Sequence, residues 1–201
     1  MKLTVQVVVE PDGDAPTVVR DVFCLERGTL GPDSLGLGLA EAKELLAAVQ
    51  ATMVDEQVNT TLAAHAACDR CGTHRRHKDA RRIVVRTLFG TLRLPSPRWH
   101  HCSCQSQQTR TFSPLAALLP ERATPELAYL EAKFAGLMSY GLTTKVLAEV
   151  LPLGRVVHAT EARRHTHAVA QRLDDELGPS SRPSSKAARR CGKTFPARTC
   201  R

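Results

Sequence analysis

Residues 68–104 read CDRCGTHRRHKDARRIVVRTLFGTLRLPSPRWHHCSC. The first fifteen of these positions hold two thiols, two imidazoles and six arginines or lysines. Redox chemistry wants the thiols without the arginines, and a plain surface loop carries arginines without thiols. In Cys68-x2-Cys71 a tight turn brings two thiolates to one ion, and Gly72 eases the backbone around it. Cys102-x-Cys104 supplies a second pair after a gap of 30 residues. Within that gap, RRIVVRTLFGTLRLPSP is rich in β-branched residues on both sides of Phe89-Gly90 and predicts a β-hairpin. Thiol pairs at the two feet of a hairpin form the ligand set of a tetrahedral structural zinc, so the segment reads as zinc-ribbon-like, with Cys68, Cys71, Cys102 and Cys104 as ligands. The gap is longer than is usual for a ribbon, and one residue separates the second pair. His101-x2-Cys104 restores the two-residue spacing, so a set of three cysteines and His101 stands beside the four-cysteine set. A cluster of buried free thiols is the competing interpretation. A thioredoxin-like pair at Cys68 and Cys71 lacks the surrounding βαβ pattern.

Charge is concentrated in the same place. The chain of 201 residues carries a net charge of +8. Residues 1–67 hold 4 basic and 10 acidic side chains, residues 68–110 hold 10 and 2, residues 111–178 hold 7 and 8, and residues 179–201 hold 7 and none. Positive charge localised in this way attracts polyanions. The run Arg70, Arg75, Arg76, Lys78, Arg81, Arg82, Arg86, Arg93 and Arg98 therefore points to phosphate contacts. Arg75, Arg76, Lys78, Arg81 and Arg82 are its densest part. A solvated charged face is the alternative.

Upstream, KLTVQVVV alternates, PDGD turns, and TVVRDVF resumes, which predicts a first hairpin. A glycine-punctuated loop follows. LAEAKELLAAVQATMVDEQVNTTLAAHAA then predicts a long amphipathic helix over roughly residues 39–66, with Leu39, Ala42, Leu45, Leu46, Val49, Met53 and Leu62 on its apolar side. Downstream of a Gln/Ser/Thr linker at QSQQTRT the pattern is helical. Thr124, Pro125 and Glu126 mark a helix start, as cap, first-turn proline and acid near the positive end. Leu127, Leu130, Phe134 and Leu137 form that helix's stripe. SYG at 139–141 breaks it, and LTTKVLAEVLP predicts a short second helix, capped by Thr143 and stopped by Pro152. After the loop PLGRVVH, a third helix covers about residues 160–177. This succession outlines a helix-turn-helix-like unit. Arg163, Arg164, His165 and His167 lie near the start of the third helix, where a recognition helix meets base edges. An ordinary surface helix is the alternative. His165 and His167 are two apart and do not share a face. Asp174, Asp175 and Glu176 read as solvated, and Cys24, Cys191 and Cys200 as bystanders.

The fold expected is α+β and modular. Residues 1–67 form the first hairpin and long helix, 68–110 the zinc-ribbon-like hairpin, 111–178 the helical unit, and 179–201 a basic tail. That tail has no acid and almost no apolar periodicity, and is expected to be disordered. No run of eighteen apolar residues exists, so no membrane span is expected. MKLTVQVVVEPDGD meets acids at once and lacks the parts of a signal peptide, which predicts a cytoplasmic protein with reduced thiols. An odd count of 7 cysteines also argues against a disulfide framework. No Gly-rich phosphate loop, nucleophile elbow or HExxH is present.

LGLGLAEAKELLAAVQ (35–50), the cysteine segment 68–104, and LLPERATPELAYLEAKFAGLMSYGLTTKVLAEVLPL (118–153) together make the chain resemble the N-terminal half of an ISKra-type bacterial insertion-sequence transposase, over roughly residues 1–178. The resemblance implies binding of double-stranded DNA at transposon terminal repeats, nucleoid association, and assembly as a homo-oligomer or with full-length transposase. In that family a ribonuclease-H-like domain follows, whose acidic triad holds two divalent metals for strand transfer. No position here matches those acids, so the chain is expected to be non-catalytic. The compositional break after Gly178 is expected from a frameshift, with a genuine DNA-contacting tail as the other interpretation. The runners-up are a stand-alone zinc-dependent DNA-binding regulator and a thiol-redox or metal-storage protein.

Overall fold

The computed structural model describes residues 1–10, 16–104, 111–154 and 158–177. The PDGD turn, most of the 105–111 linker, part of the 152–158 loop and the basic tail lie outside the described residues. Within them the chain is α+β, with one two-stranded sheet, one three-stranded sheet and five α-helices.

Strands β1 (Lys2–Val9) and β2 (Val18–Glu26) pair antiparallel, from Lys2 opposite Glu26 to Val9 opposite Val18, with an irregularity between Val5 and Gln6. A two-stranded sheet is marginal by itself. Two ion pairs strap this one to helix α1 (Leu39–His65): Arg20 to Glu56 at 2.5 Å and Arg27 to Glu41 at 2.5 Å. Glu41 also accepts from the Gly38 N–H at 2.8 Å, which closes the open first turn of α1.

The long helix forms where the sequence predicts it, but its buried side matches the expected one only in part. Val54, Val58 and Leu62 face the core. Leu39, Leu46 and Met53, expected inside, are 55%, 42% and 51% exposed. The physical reason is length. A 27-residue helix runs about 40 Å, and the first core meets it only at Val54, Val58 and Leu62.

Strands β3 (His77–Thr87) and β4 (Gly90–His100) form the second hairpin, and β5 (Thr111–Phe112) adds a short third strand beside β4. Thr87 faces Gly90, so Leu88-Phe89 is the two-residue turn. Gly90 adopts φ +143°, a conformation that side-chain-bearing residues avoid. The period-2 pattern puts Ile83, Val85, Leu92 and Leu94 on one face. That face packs under Val58 of α1 and Leu115 of the short helix α2 (Pro114–Leu118) to make the first core.

Helices α3 (Pro125–Ala135), α4 (Tyr140–Val150) and α5 (Ala159–Leu177) pack on one another. Ala123, Leu127, Leu147 and Leu153 form a second core, with Leu88 from the hairpin turn against it. Thr124 sits at the cap position of α3, but its side chain makes no cap bond. Its N–H instead donates to the Arg86 carbonyl at 2.8 Å, which joins α3 to the edge of β3. Leu137, expected in the α3 stripe, lies past the helix end and is 77% exposed. The second helix starts earlier than expected. Ser139, not Thr143, caps it, accepting from the Leu142 N–H at 3.4 Å. Thr143 is fully buried inside the helix. Serine outcompetes threonine here because SYG continues into the helix rather than breaking it.

Candidate metal centre and its cationic surroundings

The loop after α1 is built to turn back on itself. The Gly72 N–H donates to the Cys68 carbonyl at 2.8 Å, and the Cys68 N–H to the Thr73 carbonyl at 2.9 Å. Gly72 takes φ +69°, the left-handed conformation this turn needs. On the other side, the His100 N–H donates to the Arg76 carbonyl at 2.9 Å, fixing the foot of the hairpin beside the second cysteine pair.

These constraints bring four sulfurs together. One ligand atom each from Cys68, Cys71, Cys102 and Cys104 lies within 4.8 Å of every other. Three of the separations are short: 3.5 Å for Cys68 to Cys104, 3.4 Å for Cys71 to Cys102, and 3.5 Å for Cys71 to Cys104. A tetrahedral ion with metal–sulfur bonds of about 2.3 Å needs sulfurs about 3.8 Å apart. The cluster is compatible with zinc, and could hold a metal ion. His101 is outside it, stacked on Phe112 with ring centroids 4.7 Å apart. Of the two ligand sets open in the sequence, the geometry brings together the one with Cys102.

The thiols are electrostatically unequal. Hydrogen bonds from the Thr73 hydroxyl, then from the Thr73 N–H, draw Cys71 down to about 6. The N–H groups of Arg70 and Cys71 lower Cys68. Cys104 is pushed up to about 12, first by Cys71 and then by Cys102, since it is the thiol that donates to its neighbours' sulfur. A cluster that favours thiolate at one end and retains a proton at the other is one that a cation would complete.

The cations predicted around the cluster divide into two groups. Arg75 is a strut. Its side chain is 4% exposed, donates to the His65 carbonyl at 2.8 Å, approaches Asp69 at 3.4 Å and lies 4.9 Å over the Phe112 ring. Its guanidinium is thus engaged within the protein by His65, Asp69 and the Phe112 ring. Arg98 pairs with Asp79, and Arg86 with Glu161 of α5, each through two hydrogen bonds. The bond from Arg98 lowers Asp79, and the bond from Arg86 lowers Glu161.

Arg76, Lys78, Arg81, Arg82 and Arg93 are exposed. None of them joins an ion pair among the described residues. Arg82 and Arg93 flank Val84 on the sheet face opposite the core, because Val84 pairs with Arg93.

The four α5 residues also separate. Arg163, Arg164 and His167 are exposed, and Arg163 Nε lies 3.5 Å from His167 Nε2. His165 is 8% exposed and faces inward, where its Nδ1–H donates to Oε2 of the fully buried Glu131 on α3. It holds α5 to α3. The 1.5 Å rise and 100° step of the helix explain the split: neighbours in EARRHTH point in different directions.

Sequence reasoning missed the partners of these residues, Glu131, Glu161 and Phe112. Glu131 had a signal: it is the one acid among Leu127, Leu130 and Phe134 on the apolar side of α3. The chain matches no family model, no curated protein and no solved structure.

Proposed function

We propose that the chain is a zinc-stabilised binder of double-stranded DNA, namely the end-recognising part of an insertion-sequence transposase. The observation that carries this is the joint placement of a four-sulfur cluster and unpaired cations on one hairpin. Cys68, Cys71, Cys102 and Cys104 would hold the zinc, whose contribution is to fold the hairpin feet rather than to do chemistry. Arg76, Lys78, Arg81, Arg82 and Arg93 would contact backbone phosphates, which set position and affinity. Arg163, Arg164 and His167 would lie nearest the bases.

Titrating duplexes that carry the ends of the encoding element, with zinc present, tests the proposal. Five phosphate contacts predict a slope of log affinity against log salt of about −4.5. Preference for the element's ends over a scrambled duplex is expected. Binding that ignores salt, or no binding at low salt, would sink it. Preference for the gene's own promoter would instead favour a stand-alone regulator.

A further inference from the structure

One cleft on the helical unit has no part in the metal centre or the hairpin. It lies between residues 120–123 and α5 and encloses about 270 Å³. From the sequence, Arg164 and Arg172 are eight positions apart on α5, two turns along one side, with the small Ala168 between them. The structure turns this side to the cleft, and Arg122 comes from the facing segment. Ala128 and Val169 line it as well, so apolar surface accompanies a cationic rim.

We propose that this cleft is a binding site for a nucleotide, with Arg164, Arg122 and Arg172 holding its phosphate. Guanidinium groups offer paired N–H donors that match phosphate oxygens two at a time. The volume lies just below the usual range for ligand pockets, which suits one nucleotide and not a longer ligand. The apolar floor suits the face of a base. Glu121 is the one carboxylate lining the cleft, and it pairs with Arg172 at 2.8 Å. Both members of that pair are about half exposed, so the pair is weak and yields to a phosphate. Arg164 is kept near the mouth by His165, whose Nε2 lies 3.5 Å from its guanidinium while Nδ1 is held by Glu131. The buried Glu131–His165 pair thus acts on the rim as a positioning element.

The nucleotide has two possible sources, a free mononucleotide or one unit of a DNA strand. The test uses the full chain with zinc, titrated calorimetrically with dAMP and, in parallel, with duplex DNA. Saturable dAMP binding is expected, displaced by inorganic phosphate and not by acetate at equal ionic strength. Ala168→Leu fills the floor without changing charge, and Arg164→Gln removes one donor. Each is expected to weaken dAMP at least tenfold while the helical circular dichroism is retained. No saturable binding, equal displacement by acetate, or an unchanged affinity in Ala168→Leu would overturn the site. If Ala168→Leu also weakens duplex binding, the source is a strand; if it weakens dAMP alone, the source is a free nucleotide. The site does not depend on the DNA proposal: dAMP binding without any duplex binding would remove that proposal and leave this one standing.

Discussion

His165 shows how much one side chain's direction matters. Its neighbours Arg163, Arg164 and His167 are exposed, whereas it is buried against Glu131. Removing one partner of a buried hydrogen-bonded pair leaves the other's polar group unsatisfied, at a cost of about 1–3 kcal/mol. His165→Ala is expected to lose stability of that order in urea denaturation. Replacing both, Glu131→Met with His165→Leu, is expected to recover most of it. A loss below about 1 kcal/mol in the single variant would show that the pair is not what joins α3 to α5. The cysteines lead to a second expectation. Cys71 is drawn to about 6 and Cys104 is pushed to about 12. At pH 7 the first is already mostly thiolate and the second still protonated. Zinc uptake should therefore release at least one proton but fewer than four, and weaken as pH falls. Calorimetry in buffers of different ionisation enthalpy measures that number, and release of none would contradict the unequal cluster.

Among the elements, the β-hairpin with its thiol pairs was legible because two independent patterns agreed, the period-2 run and the cysteine spacing. What stayed hidden was β5, which is two residues long. The buried side of α1 was read only in part: Leu62 packs on the core, whereas Leu39, Leu46 and Met53 are exposed. Its apolar residues surround the helix, so periodicity gives no single answer, and which side is covered depends on elements far away in sequence. The cap of α4 was misassigned for a local reason: Ser139 and Thr143 are both competent, and only the register of the helix decides. Two expectations belong at this scale. Gly72→Ala forces an L side chain into φ +69°, at a cost of about 1 kcal/mol. It should weaken zinc binding several-fold in a competition titration with a chromogenic chelator; unchanged affinity would mean the turn adapts. The second concerns Glu41, held at about 2, chiefly by its hydrogen bond with Arg27. Its depressed value means its contribution is present above the unfolded carboxylate value and lost as pH falls from about 4.5 towards 2. The docking of β2 on α1 should loosen across that window. Amide exchange of β1 and β2 followed against pH reads this directly, and protection that stays constant would count against it.

For the molecule as a whole, the sequence divides the chain at residues 67 and 110, by composition and charge. The packing does not stop at those positions. The first core takes Val58 from α1, Ile83, Val85 and Leu94 from the hairpin, and Leu115 from α2. Composition is read along the chain, whereas a core is assembled across it, so a charge boundary need not be a packing boundary. Chelating the metal should accordingly disturb more than the hairpin feet. Cys71→Ser and chelator treatment are both expected to change Trp99 fluorescence, since Trp99 stands at the foot of β4 and is 8% exposed. The circular dichroism of α3, α4 and α5 should remain largely in place, because their core is separate. Loss of all helical signal on chelation would mean that the two cores unfold as one.

Lys43 gives this arrangement a practical meaning. From α1 its ammonium donates to the Ala148 carbonyl at 3.2 Å and to the Glu149 carbonyl, at the C-terminal end of α4. Positive charge at that end of a helix is favourable, and here it arrives from more than a hundred positions upstream. A fragment cut to begin at Cys68 would lose that clasp and the apolar wall supplied by Val54, Val58 and Leu62. The smallest piece that keeps the cysteine hairpin and the three helices in their native relation has to begin before Leu39, so the acidic third of the chain is the scaffold on which the basic parts are mounted.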